Sequence, residues 1–222
     1  MLRFGPKRPI LVALLAAIAC GAAGCEEAYY RAQEALGKHK RDLLVERVEA
    51  ARDGQEDAKE QFRSALQRFS DVVEVQAGEL QEKYDRLSAE LDRSETKADV
   101  VRQRIAKVHE VAEDLFDEWE DELDKYSNDE LRLSSEISLR DTQKRYAMLL
   151  RAMKRAEGKM GPVLDAFRDQ VLFLKHNLNA RAVASLEGTV VSLEADIAQL
   201  IDQMDASIKE ANAFIEAMGK PE

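Results

Sequence analysis

The chain is predicted to be all-α: an elongated up-down bundle of three to four long antiparallel helices with coiled-coil character, preceded by a signal segment. Three observations predict it. Ala, Leu, Lys, Arg and Glu make up 114 of the 222 residues, the roughly 50 % share typical of long helices and coiled coils. No proline occurs between Pro9 and Pro162, so nothing breaks a helix over most of the chain. Apolar residues recur in steps of four and three, the spacing of a helical seam, and no period-two alternation of a strand is present.

The elements follow in order. Arg3, Lys7 and Arg8 form a basic leader, Ile10 to Ala19 an apolar run, and Ala22-Ala23-Gly24-Cys25 a lipobox-like end. This is the layout of a bacterial export signal over residues 1–24, with small residues for the peptidase and a thiol at Cys25 to carry a lipid. Ala22 stands where such signals usually carry Leu. Acylation at Cys20, ordinary signal cleavage and a retained anchor therefore stay open. The run is shorter than the roughly 20 apolar residues that span a bilayer. Residues 25–37 read as a lipidated tether with a short helix, Glu26–Leu36, ending at Gly37. The helical bundle domain is expected over 38–218.

The first long helix carries Leu44, Val48, Ala51, Gln55, Ala58, Phe62, Ala65, Phe69 and Val72 and ends near Ala77-Gly78. The second carries Leu80, Tyr84, Leu87, Leu91, Ser94, Ala98, Val101, Ile105, Val108, Ala112, Leu115 and Trp119, and ends at Tyr126-Ser127-Asn128-Asp129. Ser127 or Asn128 is placed to cap a third helix starting near Glu130. Its seam is Leu149, Met153, Ala156, Met160, Val163, Phe167, Val171 and Leu174, and Gly161-Pro162 either kinks or splits it. The last helix carries Leu186, Val190, Leu193, Ile197, Leu200, Met204, Ile208, Ala211, Ile215 and Met218. Helices of about 40–48 residues would be roughly 60–70 Å long, and short connections make sequential helices antiparallel.

Charge narrows the function classes. Without residues 1–24, 30 Lys and Arg face 43 Asp and Glu, a net charge of −13. Such a chain is not expected to bind nucleic acid or anionic headgroups through bulk charge. Only Cys25 survives processing, so packing rather than disulfides must hold the fold.

No residue pattern reaches catalytic chemistry. The residues three before His39, His109 and His176 are Leu36, Ala106 and Phe173, so the Glu-x-x-His motif of di-iron bundles is absent. His109 and Glu113 are one turn apart, too few ligands for a zinc site. Glu113, Asp114, Asp117, Glu118, Glu120, Asp121, Glu122 and Asp124 surround Leu115, Phe116, Trp119 and Leu123. This reads as the solvated side of an amphipathic helix rather than a cation site. The serines have no nucleophile elbow and no glycine loop cradles phosphate. A non-enzymatic protein without cofactor or metal is expected. The candidate partner contact is the end of the third helix: Phe173, Lys175, His176, Asn177, Asn179 and Arg181. Its alternative is a helix buried on several sides, because Val171-Leu172-Phe173-Leu174 is wider than a seam requires.

Ala28-Tyr29-Tyr30, Gly37-Lys38-His39-Lys40-Arg41-Asp42, the Leu115–Leu123 stretch and the run from Phe167 to Ala180 resemble a bacterial lipoprotein family known as domain of unknown function 2959. The resemblance covers nearly the whole mature chain. It implies an exported, lipid-anchored helical protein of Gram-negative bacteria, with no assigned activity, cofactor or partner. The expected function is a cell-envelope spacer, adaptor or scaffold, held to the membrane by lipid at Cys25 and binding an unknown envelope protein. Glu26 after Cys25 favours the periplasmic face of the outer membrane over the inner one. The alternatives are a self-associating coiled-coil homo-oligomer, or a bundle binding a small molecule or metal.

Overall fold

The computed structural model describes residues 39–74, 80–177 and 187–219. The signal segment, Cys20, Cys25, the tether helix and Gly37, the Ala77-Gly78 helix end, and Asn179 and Arg181 lie outside them. Four helices are present among the described residues: α1 Lys40–Glu74, α2 Leu80–Leu123, α3 Asp129–His176 and α4 Glu187–Gly219. The chain divides into two compact units, to Leu43 and from Leu44. In the first, the His39 carbonyl accepts from the Asp42 N–H at 3.0 Å, which starts α1.

The second unit is a closed antiparallel ring of four helices. On the α1–α2 face, Arg104 donates to the Ala50 carbonyl at 2.7 Å, Lys97 to Asp57 at 2.8 Å and Gln61 to Glu90 at 2.8 Å. Rising numbers on α1 meet falling ones on α2. Likewise Trp119 meets Ser135 at 2.8 Å, His109 meets Tyr146 at 3.0 Å and Glu95 meets Arg168 at 2.6 Å. Arg52–Asn212 (3.2 Å) and Lys59–Asp205 (2.8 Å) then join α1 antiparallel to α4. Lys159–Gln199 at 2.9 Å closes α3 on α4. The up-down bundle expected from the short connections is therefore observed.

The seams explain why these segments are helices that pack. Every described seam residue of α1, from Leu44 to Phe69 and including Gln55, is buried. So is every predicted seam residue of α3 from Leu149 to Leu174. Phe69 and Phe167 meet edge to face with centroids 5.8 Å apart, a geometry that adds to area burial. Two seams depart from the prediction. In α4 the buried line is Leu193, Ile197, Leu200, Met204, Ser207, Ala211, Phe214 and Met218, whereas Ile208 and Ile215 are only half-buried. Those steps alternate four and three without exception, so regular period outranks side-chain hydrophobicity.

In α2 the line ends on Phe116 instead of Leu115, and Trp119 is half-buried. The register gives the reason. Counting from Arg104–Ala50, Leu44 lies level with about residue 110 of α2; counting from Lys159–Gln199, α4 ends level with about residue 139 of α3. Beyond those levels, among the described residues of this unit, only α2 and α3 continue, as a two-helix hairpin. Burial weakens where two of the four walls stop.

The α2–α3 turn is closed by Asn128, whose side chain accepts from the Glu130 and Leu131 N–H groups at 2.9 and 3.1 Å. That is N-capping as expected. Gly161-Pro162 does not split the helix: α3 runs through Pro162 for 48 residues. Pro162 is exposed and the residue four before it is Gly158, also exposed, so the carbonyl deprived of its N–H partner turns toward water. Gly54 serves a different purpose. A Cβ there would stand 2.9 Å from Arg104 Nη1, so its absence lets the guanidinium cross α1 to the Ala50 carbonyl.

Candidate functional site

Exposed large apolar residues gather at the two ends of the bundle unit. Leu172, Phe173 and Val191 lie at the α3–α4 end, and Tyr126, Leu131, Leu133 and Ile137 at the α2–α3 hairpin, with Met148 further along α3.

At the first end, the continuous run 171–174 is divided by the helix. Val171 and Leu174 face the core while Leu172 and Phe173 face outward, because successive side chains are about 100° apart. Within the described chain this run is buried on one side, by Val171 and Leu174. Lys175 and His176 are exposed, and the lysine's charge suits the negative end of the helix dipole. Asn177 ends α3: its N–H donates to the Leu174 carbonyl at 3.1 Å and its amide to the Phe173 carbonyl at 3.0 Å. The structure thus brings Phe173, Lys175, His176 and Asn177 together on one helix end.

The acidic stretch of α2 is tied to α3 by named contacts. Trp119 donates to the Ser135 hydroxyl, and Gln143 donates to Glu120 at 2.9 Å. Both ring nitrogens of His109 are used: Nδ1 lies 3.0 Å from the Tyr146 hydroxyl and Nε2 lies 3.4 Å from Glu113. The tautomer with hydrogen on Nε2 satisfies both partners. Tyr146 sits against Phe116 with centroids 5.4 Å apart. Burial, with the Glu113 charge behind it, pushes its phenol up to about 12, so it stays a neutral donor. Among the described residues no three His, Cys, Asp or Glu side chains converge as metal ligands would.

Two buried charges clasp helices. Glu90 on α2 meets Arg93 at 2.6 Å, Gln61 of α1 at 2.8 Å and Arg68 of α1 at 3.9 Å. Burial alone would raise its carboxyl, but these donors and cations hold it below the ordinary range. Lys59 on α1 is held between Glu56 at 2.7 Å and Asp205 of α4 at 2.8 Å. Burial opposes its charge, and the two hydrogen-bonded carboxylates outweigh that and raise the ammonium. An open groove of about 560 Å³ along α1 and α2 is lined by Arg47, Ala50, Val100, Gln103, Arg104 and Lys107 among others. Of these, Arg104 joins α2 to α1 through the Ala50 carbonyl, while Lys107 pairs with Glu110 on its own helix.

Sequence reading did not single out the outward side of α3. Leu133, Ile137, Arg140, Lys144, Met148 and Arg151 follow near-heptad spacing, opposite the buried Leu139, Tyr146, Leu149 and Met153. The same spacing rule could have found it, since it forms a second seam before the stronger one at Leu149.

No described helix is long and apolar enough to cross a membrane. No curated protein and no solved structure matches the chain. A family described as "Protein of unknown function (DUF2959)" matches residues 29–218. With that match spanning most of its length, the chain belongs to the DUF2959 family.

Proposed function

We propose that this protein is a non-enzymatic, lipid-anchored envelope protein whose helical bundle acts as a spacer or adaptor for a periplasmic partner. One juxtaposition carries the reading. The chain pairs an export-type leader ending at Cys25 with a bundle whose exposed apolar residues Leu172 and Phe173 lie at the end of a 48-residue helix. Apolar residues raised from a polar surface beside Lys175, His176 and Asn177 suit a protein contact. Lipid at Cys25 would hold the chain at the periplasmic face of the outer membrane, a reading supported by Glu26 standing after Cys25.

Crosslinking in living cells tests this. Wild type, Cys25→Ala and Phe173→Asp would each be purified with whatever is bound. One dominant envelope protein with the wild type, lost from Cys25→Ala and reduced with Phe173→Asp, is the expected result. A Cys25→Ala chain that stays membrane-bound with the same partner would overturn the anchor, and partner capture unchanged in Phe173→Asp would overturn the contact.

A further inference from the structure

We infer that the groove between α1 and α2 beside Arg104 is a binding site for a single phosphate monoester group. This depends neither on the lipid anchor nor on the contact at Phe173. Arg104 is half-buried, and among the described residues its guanidinium meets no carboxylate; its bond is to the neutral Ala50 carbonyl at 2.7 Å. Arg52, Lys59, Lys97 and Arg102, at least half-buried on the same two helices, each hold a carboxylate instead: Asp53, Asp205, Asp57 and Asp99 respectively. A charge taken partly out of water without a counter-charge is unfavourable. Arg104 is thus a base that an anion from outside the chain would complete.

The guanidinium is also fixed in advance. Gly54 lacks the Cβ that would stand 2.9 Å from Nη1, and the Ala50 carbonyl takes one N–H. The planar fork of an arginine matches two oxygens of one phosphate. Its other N–H groups are left for a ligand, with little ordering still to be lost on binding. The groove holds about 560 Å³, a volume usual for small-molecule sites. Arg47, Gln103 and Lys107 line it with small apolar residues, and no Asp or Glu is among them. Counting from Arg104–Ala50, Arg47 lies level with Lys107, about 4.5 Å along the helices from Arg104.

Charge selects the ligand. Three bases and an amide without an acid favour a doubly charged group, which a phosphate monoester is near neutral pH and a single carboxylate is not. Lys107 donates to Glu110 at 2.8 Å, but an exposed pair of this kind is worth little and exchanges readily. The same neighbourhood limits the ligand's size. Glu110 and Asp114 continue the strip of Gln103 and Lys107 at three-four spacing. A nucleic acid lying along the groove would press further phosphates against them, whereas one phosphate group meets only the bases. The net charge of −10 opposes any anion at a distance, yet such repulsion is screened beyond about 8 Å at physiological salt.

Calorimetric titration of the full chain in nonionic detergent at fixed ionic strength tests the site. Glycerol 3-phosphate is the soluble probe and dioctanoyl phosphatidic acid the lipid one. One phosphate group per chain should bind saturably, and Arg104→Gln should weaken it about tenfold or more. Because that change also removes a tie between helices, Ala106→Glu is the second variant. Ala106 is exposed on the groove, so the new carboxylate competes for the bases while Arg104 keeps its carbonyl. Binding should be lost there without a lower melting temperature, and the exposed, distant Arg155→Gln should bind as wild type. Glycerol 3-phosphate binding assigns a soluble ligand, phosphatidic acid binding alone a lipid headgroup, and either supports the site. No saturable binding of either probe by a folded chain, or binding that survives both Arg104→Gln and Ala106→Glu, would overturn it. So would acetate binding as tightly as the phosphate probes.

Discussion

Gln55 is fully buried on the α1 seam, and neither atom of its amide has a hydrogen-bond partner in the protein. Ser207, fully buried on α4, is in the same condition. The neighbouring pairs Arg52–Asn212 and Lys59–Asp205 place the two at about the same level of the bundle. An unpaired buried amide costs about 1–3 kcal/mol, so Gln55→Leu should raise stability by about that much in urea unfolding. A polar seam residue can also define register. A Gln55→Leu chain that melts lower than wild type would show the amide to be satisfied. Phe62 and Ile105 are fully buried, and their truncation to Ala should cost roughly 3–5 and 2–5 kcal/mol respectively. Both were legible from spacing alone. Gln55 was legible as a seam position, but its lack of partners was not, because hydrogen bonding depends on the three facing helices.

Among the elements, α2 and α3 carry backbone tests. Ala98 is fully buried inside α2, and a proline there should cost about 3 kcal/mol or more. In α3, Pro162→Ala returns an N–H to the Gly158 carbonyl at an exposed site, so stability read by thermal melting should rise, by at most about 3 kcal/mol. Gly54→Ala should change sign with its neighbour. In the wild type the new Cβ displaces Arg104 from the Ala50 carbonyl and lowers stability. In an Arg104→Ala background the same change should stabilise by up to about 1 kcal/mol through helix propensity. Equal effects in both backgrounds would mean that Arg104 yields without loss.

For the whole molecule, pH reads the helix clasps. The Glu90 carboxyl is held below the ordinary range in the folded chain. Its stabilisation is therefore complete above the unfolded value and lost as pH falls through the depressed folded one. Glu90→Gln should melt below wild type at neutral pH, with the gap closing below about pH 4. Lys59 has the opposite sign. Its ammonium is raised, so the α1–α4 clasp is complete below the ordinary lysine value and fades only as pH climbs through the raised one. A pH-independent gap for Glu90→Gln would assign its effect to packing.

Four-three spacing, a proline-free interior and the Asn128 cap were enough to place four described helices and most of their buried lines, because a helix buries whatever its period brings to one side. The same spacing made the α3 end readable as a candidate contact. The facing helices alone decided the rest. They put Ser207 inside and Ile208 half outside, ended the α2 seam on Phe116 where α1 and α4 stop, and carried α3 unbroken through Pro162. They also left Leu133, Ile137 and Met148 uncovered, since burial is a property of neighbours and a sequence states only which residues could be buried.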